Sequence, residues 1–78
     1  LSRLAPHESV RVPAGHGGVE LVAVAAGLVQ VILPTGRPVL RRGETLLAER
    51  SGVTGWRNVG DEDAMVFWIL RDEAGPRP

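Results

Sequence analysis

Apolar residues follow one another in short runs along this chain, and glycine, proline and charged residues separate the runs. Two of the runs, at residues 20–26 and 28–33, are rich in valine and meet at Gly27. Valine favours strands, and glycine can take the positive φ that lets a chain reverse. Pro34 then ends the second run. The pattern therefore predicts a β-hairpin centred on Gly27, with the rest of the chain adding strands around it.

Side-chain alternation divides the first of these runs into two faces. Successive side chains of a strand point to opposite sides, so Glu20 shares its side with the even-numbered positions, which we expect to face the interior. The odd-numbered side is apolar as well, and a strand that is apolar on both sides is normally covered on both. We therefore expect a second subunit to cover the outward positions, which predicts a homodimer. The outward positions are Leu21, Ala23 and Ala25 in the first run and Leu28 and Ile32 in the second.

Shorter runs predict the remaining strands. No window is long or periodic enough to predict a helix, and 78 residues suffice for one domain but not for two. Turns are expected at residues 34–38, 41–44 and 60–63, where proline, glycine and acidic residues cluster. The sequence thus predicts an all-β domain. Its other strands are expected at residues 9–12, 39–40, 45–48 (a short buried strand), 56–59 and 65–70 (the last core strand).

Composition narrows the function classes. Nine basic residues balance nine acidic ones, so we expect no direct nucleic-acid binding by this segment and no attraction to anionic lipid. No run approaches the roughly 20 apolar residues of a membrane span, and we expect a soluble, cytoplasmic protein. Cysteine is absent, so subunit pairing is the remaining way to enlarge the core. The chain begins with Leu1 rather than Met, and we expect that a further segment precedes it.

Two motifs carry a family resemblance. His16 precedes Glu20 by four positions, and Gly27 follows Glu20 after six intervening residues; this arrangement resembles the first motif of the cupin family. Gly43-Glu44, followed by residues 56–62 and an apolar run, resembles the second. Both motifs occur in order over almost the whole chain. The resemblance implies a cupin jelly-roll-like antiparallel β-barrel over residues 1–70 and a flexible tail over residues 71–78.

The metal ligands of this family are only partly present. Metal-binding cupins bring together three histidines and one glutamate, a set suited to Mn, Fe, Ni or Zn. The resemblance assigns His16 and Glu20 to two of these positions, but Ala14 and Thr54 stand where the other two histidines belong. Two ligands hold a divalent cation weakly. We therefore expect no functional metal site and no cofactor, with His16 and Glu20 as its vestige.

An interior pocket for a small organic ligand is the other candidate site. We expect His16, Glu20, Thr54 and Trp56 to line it at the mouth of the barrel. The alternatives are a core position for Trp56, a hydrogen bond between His16 and Glu20, and a solvent-exposed His16. Trp68 is expected in the core. Acid–base chemistry would rest on His16 oriented by Glu20, but no nucleophile motif accompanies them, so no catalytic residue is predicted.

The resemblance also implies a function. Metal-free cupins follow an N-terminal helix-turn-helix in bacterial transcription regulators, where the barrel senses a ligand and pairs subunits. The chain resembles such a sensor domain, and DNA would then be reached only through the preceding segment. The alternative is a stand-alone small cupin enzyme, an isomerase or a dioxygenase, with a degenerate metal site. The residues before Leu1 distinguish the two: a helix-turn-helix favours the regulator, and a start codon within a few residues excludes it.

Overall fold

The computed structural model describes residues 1–12, 19–49 and 52–71, and all regular structure in these residues is β-strand. Two four-stranded antiparallel sheets form: sheet A has the strand order β1-β8-β3-β6, and sheet B has the order β2-β7-β4-β5. Their buried residues make one hydrophobic cluster between the sheets. The strands are β1 (Ser2–Leu4), β2 (Ser9–Arg11), β3 (Val19–Ala26), β4 (Leu28–Ile32), β5 (Val39–Arg41), β6 (Thr45–Glu49), β7 (Gly55–Asn58) and β8 (Ala64–Arg71).

The topology is that of a jelly roll. Consecutive strands lie in opposite sheets at every step except β4 to β5, which pair with each other. The all-β class and the jelly-roll-like architecture predicted from the sequence are therefore confirmed. β1 was not expected, because only Leu4 of its three residues is buried and the sequence there shows no apolar run.

The predicted hairpin at Gly27 is wrong. β3 pairs with β6 and β8, and β4 pairs with β5 and β7. Only Gly27 separates β3 from β4, whereas hairpin loops commonly need two residues or more. Gly27 has a φ of 87°, and it passes the chain from one sheet to the other. A Cβ at this position would lie 2.8 Å from the Cα of Ala64, so β8 packs directly against the crossing.

Alternation along β3 follows the prediction until a bulge. Glu20, Val22 and Val24 are buried in the interior. A register shift against β8 then follows between Val24 and Ala26, which leaves Ala26 half-buried. Its predicted interior placement therefore holds only in part.

The predicted outward set does not form one face. Leu28 and Ile32 belong to β4 and lie on the outer side of sheet B, so they do not extend the outer side of β3. The five outward positions therefore do not form one surface. The reason is the same as for the hairpin, because β3 belongs to sheet A and β4 to sheet B.

Two apolar strands of sheet A are buried on one side only. In β8, Ala64 and Val66 are buried, but Phe67 and Ile69 are 43% and 55% exposed. In β6, Leu47 is 62% exposed, and the expectation of a buried strand at residues 45–48 was wrong. Both strands have a solvent-facing side, because sheet A has the core on one side alone.

The last described strand reaches the expected boundary between barrel and tail, and the predicted division into these two parts stays a prediction. β8 ends at Arg71, one residue beyond the predicted barrel, and residues 72–78, expected to be a flexible tail, lie outside the described residues. Within the described part of the chain, no helix has the length and apolar character needed to cross a membrane.

Candidate functional site

Glu20 is a buried carboxylate with two protein donors. It lies on β3 and is 1% exposed. Its Oε1 accepts a hydrogen bond of 3.1 Å from the Val53 N–H, and its Oε2 accepts one of 3.3 Å from Nε1 of Trp68. A buried carboxylate is costly unless its oxygens are paired. Glu20 thus connects β3 to β8 and to the segment that leads into β7.

Trp56 lies on β7 of the opposite sheet and packs against Trp68, which donates to Glu20. Its side chain is 2% exposed, and its ring centroid is 5.4 Å from that of Trp68, with the planes tilted by 52°. Trp56 is therefore part of the core, and Trp68 is half-buried and packs against it. The Trp56 Nε1–H is buried without a hydrogen-bond partner among the described residues. Buried indole N–H groups usually have a partner, and none of the described residues provides one here.

Thr54 is held by the neighbouring strand. Its Oγ1 and its backbone N–H both donate to the carbonyl oxygen of Ile32, at 3.1 and 2.9 Å. It also lines a groove on the outer side of sheet B. The structure thus brings Glu20 and Trp56 together in the interior, whereas His16 lies outside the described residues. A pocket lined by all four residues stays a prediction.

A metal centre has little support within the described residues. Their His, Asp and Glu side chains form no group of three or more that could hold an ion. Glu20 already accepts hydrogen bonds at both oxygens. Since His16 is not described, the expected loss of the metal site also stays a prediction.

Asn58 is a buried polar residue whose role the sequence did not reveal. It is fully buried, and its Nδ2 donates to the carbonyl oxygens of Leu4 at 3.0 Å and Glu62 at 2.7 Å. Its Oδ1 accepts the Gly60 N–H at 2.8 Å. Asn58 therefore joins β7 to β1 and closes the turn before β8. One feature of the sequence could have indicated this role: an asparagine at a strand end, two residues before a glycine, often accepts a hydrogen bond from that glycine's N–H in a turn.

The same two-sheet arrangement occurs in a solved regulator domain. The cupin_2 domain of an XRE family transcriptional regulator from Enterobacter cloacae matches with a TM-score of 0.78 and 18% identity, over 96% of this chain and 77% of that one. The chain has the cupin fold. The resemblance seen in its two motifs is thereby confirmed at the level of fold: Glu20 of the first motif lies on β3, and residues 55–58, just before Gly60 of the second motif, form β7.

Other proteins with this fold differ in what their names describe. A cupin-superfamily sugar phosphate isomerase from Silicibacter pomeroyi matches with a TM-score of 0.71 and 19% identity, over 85% of this chain and 44% of that one. The Schizosaccharomyces pombe Cnp3 cupin domain matches with a TM-score of 0.78 and 10% identity, over 91% and 49%. No protein-family model and no curated protein matches the sequence. The cupin fold therefore does not select a function by itself.

Proposed function

We propose that this cupin is a dimerisation domain that also senses a small organic ligand, and that it forms part of a cytoplasmic transcription regulator. A regulator domain from Enterobacter cloacae shares its fold, which supports this role. The observation that carries the proposal is the apolar outer side of sheet A. In this role the cupin pairs subunits, and DNA contact belongs to another segment.

The apolar face consists of outward residues from three adjacent strands. Leu21 on β3 lies opposite Leu47 of β6 and Ile69 of β8, and Ala23 lies opposite Phe67 of β8. Leu47, Phe67 and Ile69 are 43–62% exposed. Contiguous apolar surface of this kind on a small protein marks an interaction site, because exposing it to water is unfavourable.

A second copy of this domain is the occupant that best fits the apolar face. β3 and β8 have eight residues each, which gives a length of about 26 Å, and the three strands of the apolar face span roughly 14 Å. The resulting area of about 360 Å² is roughly half of the share that each partner contributes to a standard interface. Ala23 and Ala25 form a shallow strip between β6 and β8. The Phe67 side chain of a two-fold-related copy can pack into this strip.

Sedimentation equilibrium of the 78-residue chain tests the pairing. We expect a mass of twice 8.3 kDa at micromolar concentration, and we expect Ile69→Glu to give a folded monomer, because a charge would be buried in the interface. Val39→Glu is the matched control, since Val39 is 45% exposed on the outer side of sheet B. A monomeric wild type, or equal dissociation by both substitutions, would contradict the proposal.

The ligand-sensing part is supported by the interior cluster of Glu20, Trp56 and Trp68. The Trp56 N–H, which has no partner among the described residues, offers one buried donor, which suits a ligand with a carbonyl or hydroxyl acceptor. A screen of small polar fragments by tryptophan emission tests it. We expect the fragments that bind to lose about tenfold or more in affinity in Trp56→Phe, which keeps an aromatic ring and removes the donor. Fragments that bind both proteins equally would contradict an interior site.

We further propose that no functional metal is held. Elemental analysis of the purified protein is expected to find well under one transition metal per chain. About one Mn, Fe, Ni or Zn per chain, lost in Glu20→Ala, would contradict this. A stand-alone enzyme remains the alternative, as the isomerase of the same fold indicates. The geometry favours it less, because both oxygens of Glu20 already accept hydrogen bonds from protein donors.

A further inference from the structure

A groove of about 670 Å³ runs along the outer side of sheet B, away from both the interior cluster and the apolar face. Arg11, Arg37 and Arg57 line it, together with His7, and none of the described lining residues is acidic. All three arginines are exposed. We call this surface the arginine groove.

Strand register explains how three arginines distant in sequence come together. Arg11 on β2 lies opposite Gly55 on β7, and Gly55 lies opposite Ile32 on β4. The pairing of β4 continues toward Arg37, because the Val31 N–H donates to the Pro38 carbonyl oxygen at 2.9 Å. Arg11 and Arg37 therefore stand on opposite sides of the groove, about 14 Å apart by backbone spacing.

The floor of the arginine groove combines small, polar and apolar residues. Between Arg11 and Arg37, Gly55 contributes no side chain and Ile32 contributes an apolar one. Arg57 stands two residues further along β7, between Ser9 and Gln30 on the neighbouring strands. The three guanidinium groups thus surround a shallow space with hydroxyl and amide groups beside it.

One acidic residue, Glu8, stands between the lining residues His7 and Ser9 but does not line the groove itself. Its Oε1 accepts a hydrogen bond of 2.8 Å from the Ala5 N–H. The chain has no net charge, so this concentration of positive charge is local. A cluster of like charges attracts counter-ions, and guanidinium groups bind phosphate and carboxylate groups in a bidentate manner.

We infer that the arginine groove binds a small polyanion, a metabolite with two or more phosphate or carboxylate groups. Its volume lies in the range of small-molecule sites. Duplex DNA fits less well, because its binding relies on many phosphate contacts along an extended basic surface, and this groove offers three arginines on a neutral chain. The inference is independent of the interior ligand and of dimerisation.

Isothermal titration calorimetry at constant ionic strength tests this inference, with pyrophosphate and citrate as probes. We expect at least one of them to bind, and the stronger one identifies phosphate or carboxylate as the preferred group. Arg57→Gln is expected to weaken binding about tenfold or more, because a charge-assisted hydrogen-bonding group is lost. Arg3→Gln removes the same charge from an exposed position on β1 in sheet A, and we expect affinity to stay within about twofold of wild type.

Three results would overturn the inference. They are the failure of both probes to bind, an equal loss in Arg57→Gln and Arg3→Gln, and tighter binding of a short DNA duplex than of either probe in the same buffer. Circular dichroism melting without probe shows that each variant is folded. Arg11→Gln provides a second variant from a different strand, and it is expected to weaken binding as Arg57→Gln does.

Discussion

Two buried polar side chains join parts of the chain that are far apart in sequence. Glu20 receives hydrogen bonds from Val53 and Trp68, and Asn58 is bonded to Leu4 on the opposite sheet. Each is buried, so a lost partner leaves a polar group away from water, which costs more than the bond itself contributes. The stability of this small domain therefore depends strongly on these two residues.

Asn58→Asp should destabilise the domain by about 3 kcal/mol or more. The substitution replaces the Nδ2 donor with an acceptor that faces the carbonyl oxygens of Leu4 and Glu62. Urea unfolding measures the change. Asp61→Asn makes the reverse exchange at an exposed position of the adjacent turn, and we expect a change of less than about 0.5 kcal/mol. Similar effects at the two positions would show that the Asn58 hydrogen bonds contribute little.

Glu20→Leu should lower the free energy of unfolding by about 2–4 kcal/mol, because Val53 and Trp68 each lose the acceptor of a buried donor. Glu20→Gln keeps one acceptor oxygen, so we expect roughly half of that loss. Urea unfolding of both variants checks the order. If Glu20→Leu is more stable than wild type, the carboxylate is retained for a reason other than folding, and a ligand becomes the better explanation.

At the scale of the strands, the sequence predicts orientation better than pairing. Alternation placed Glu20 in the interior correctly, since the side to which a residue points depends only on its own strand. The partner of β3 could not be predicted in this way, because β6 and β8 are distant in sequence and the one-residue connection at Gly27 resembles a turn.

The same distinction applies to the candidate sites. Trp56 was a candidate from its place near a loop, and its position opposite Trp68 required the packing of two sheets. The arginine groove gave no local signal, because Arg11, Arg37 and Arg57 belong to separate segments that only the order of sheet B brings together.

Glycine can be required at a strand connection because of a positive φ or because a side chain would overlap a neighbouring strand. Gly27 and Gly43 allow these two causes to be compared. Both have φ near 88°, but a Cβ at Gly27 would lie 2.8 Å from Ala64, whereas a Cβ at Gly43 would meet nothing within 4 Å. Gly43→Ala should cost about 1–2 kcal/mol from backbone strain, and Gly27→Ala about 3 kcal/mol or more from strain and overlap together. Thermal or urea unfolding compares them. Equal losses would indicate that β8 moves aside without cost.

The whole molecule has two outer surfaces of opposite character. Sheet A presents the apolar face, and sheet B presents the arginine groove. A dimer formed through sheet A would leave a groove exposed on each outer side, so subunit pairing and anion binding can occur together.

The melting temperature should rise with protein concentration if the domain pairs as proposed. For a dimer of this size we expect roughly 3–5 °C per tenfold increase, because association stabilises only the folded state. The same slope is expected for Val39→Glu, and none for Ile69→Glu. Differential scanning calorimetry over two decades of concentration checks this, and a wild type whose melting temperature is constant would contradict pairing.

The position of β8 between β1 and β3 determines when the protein can fold during synthesis. Among the described strands β1 pairs with β8 alone, and β3 lacks a neighbour on one side until Ala64–Arg71 has left the ribosome. Until then, the nascent chain carries an apolar strand with an open edge, which is the state most prone to pair with other chains. Translation that stalls before residue 64 would leave a chain unable to close sheet A and dependent on chaperones for its solubility.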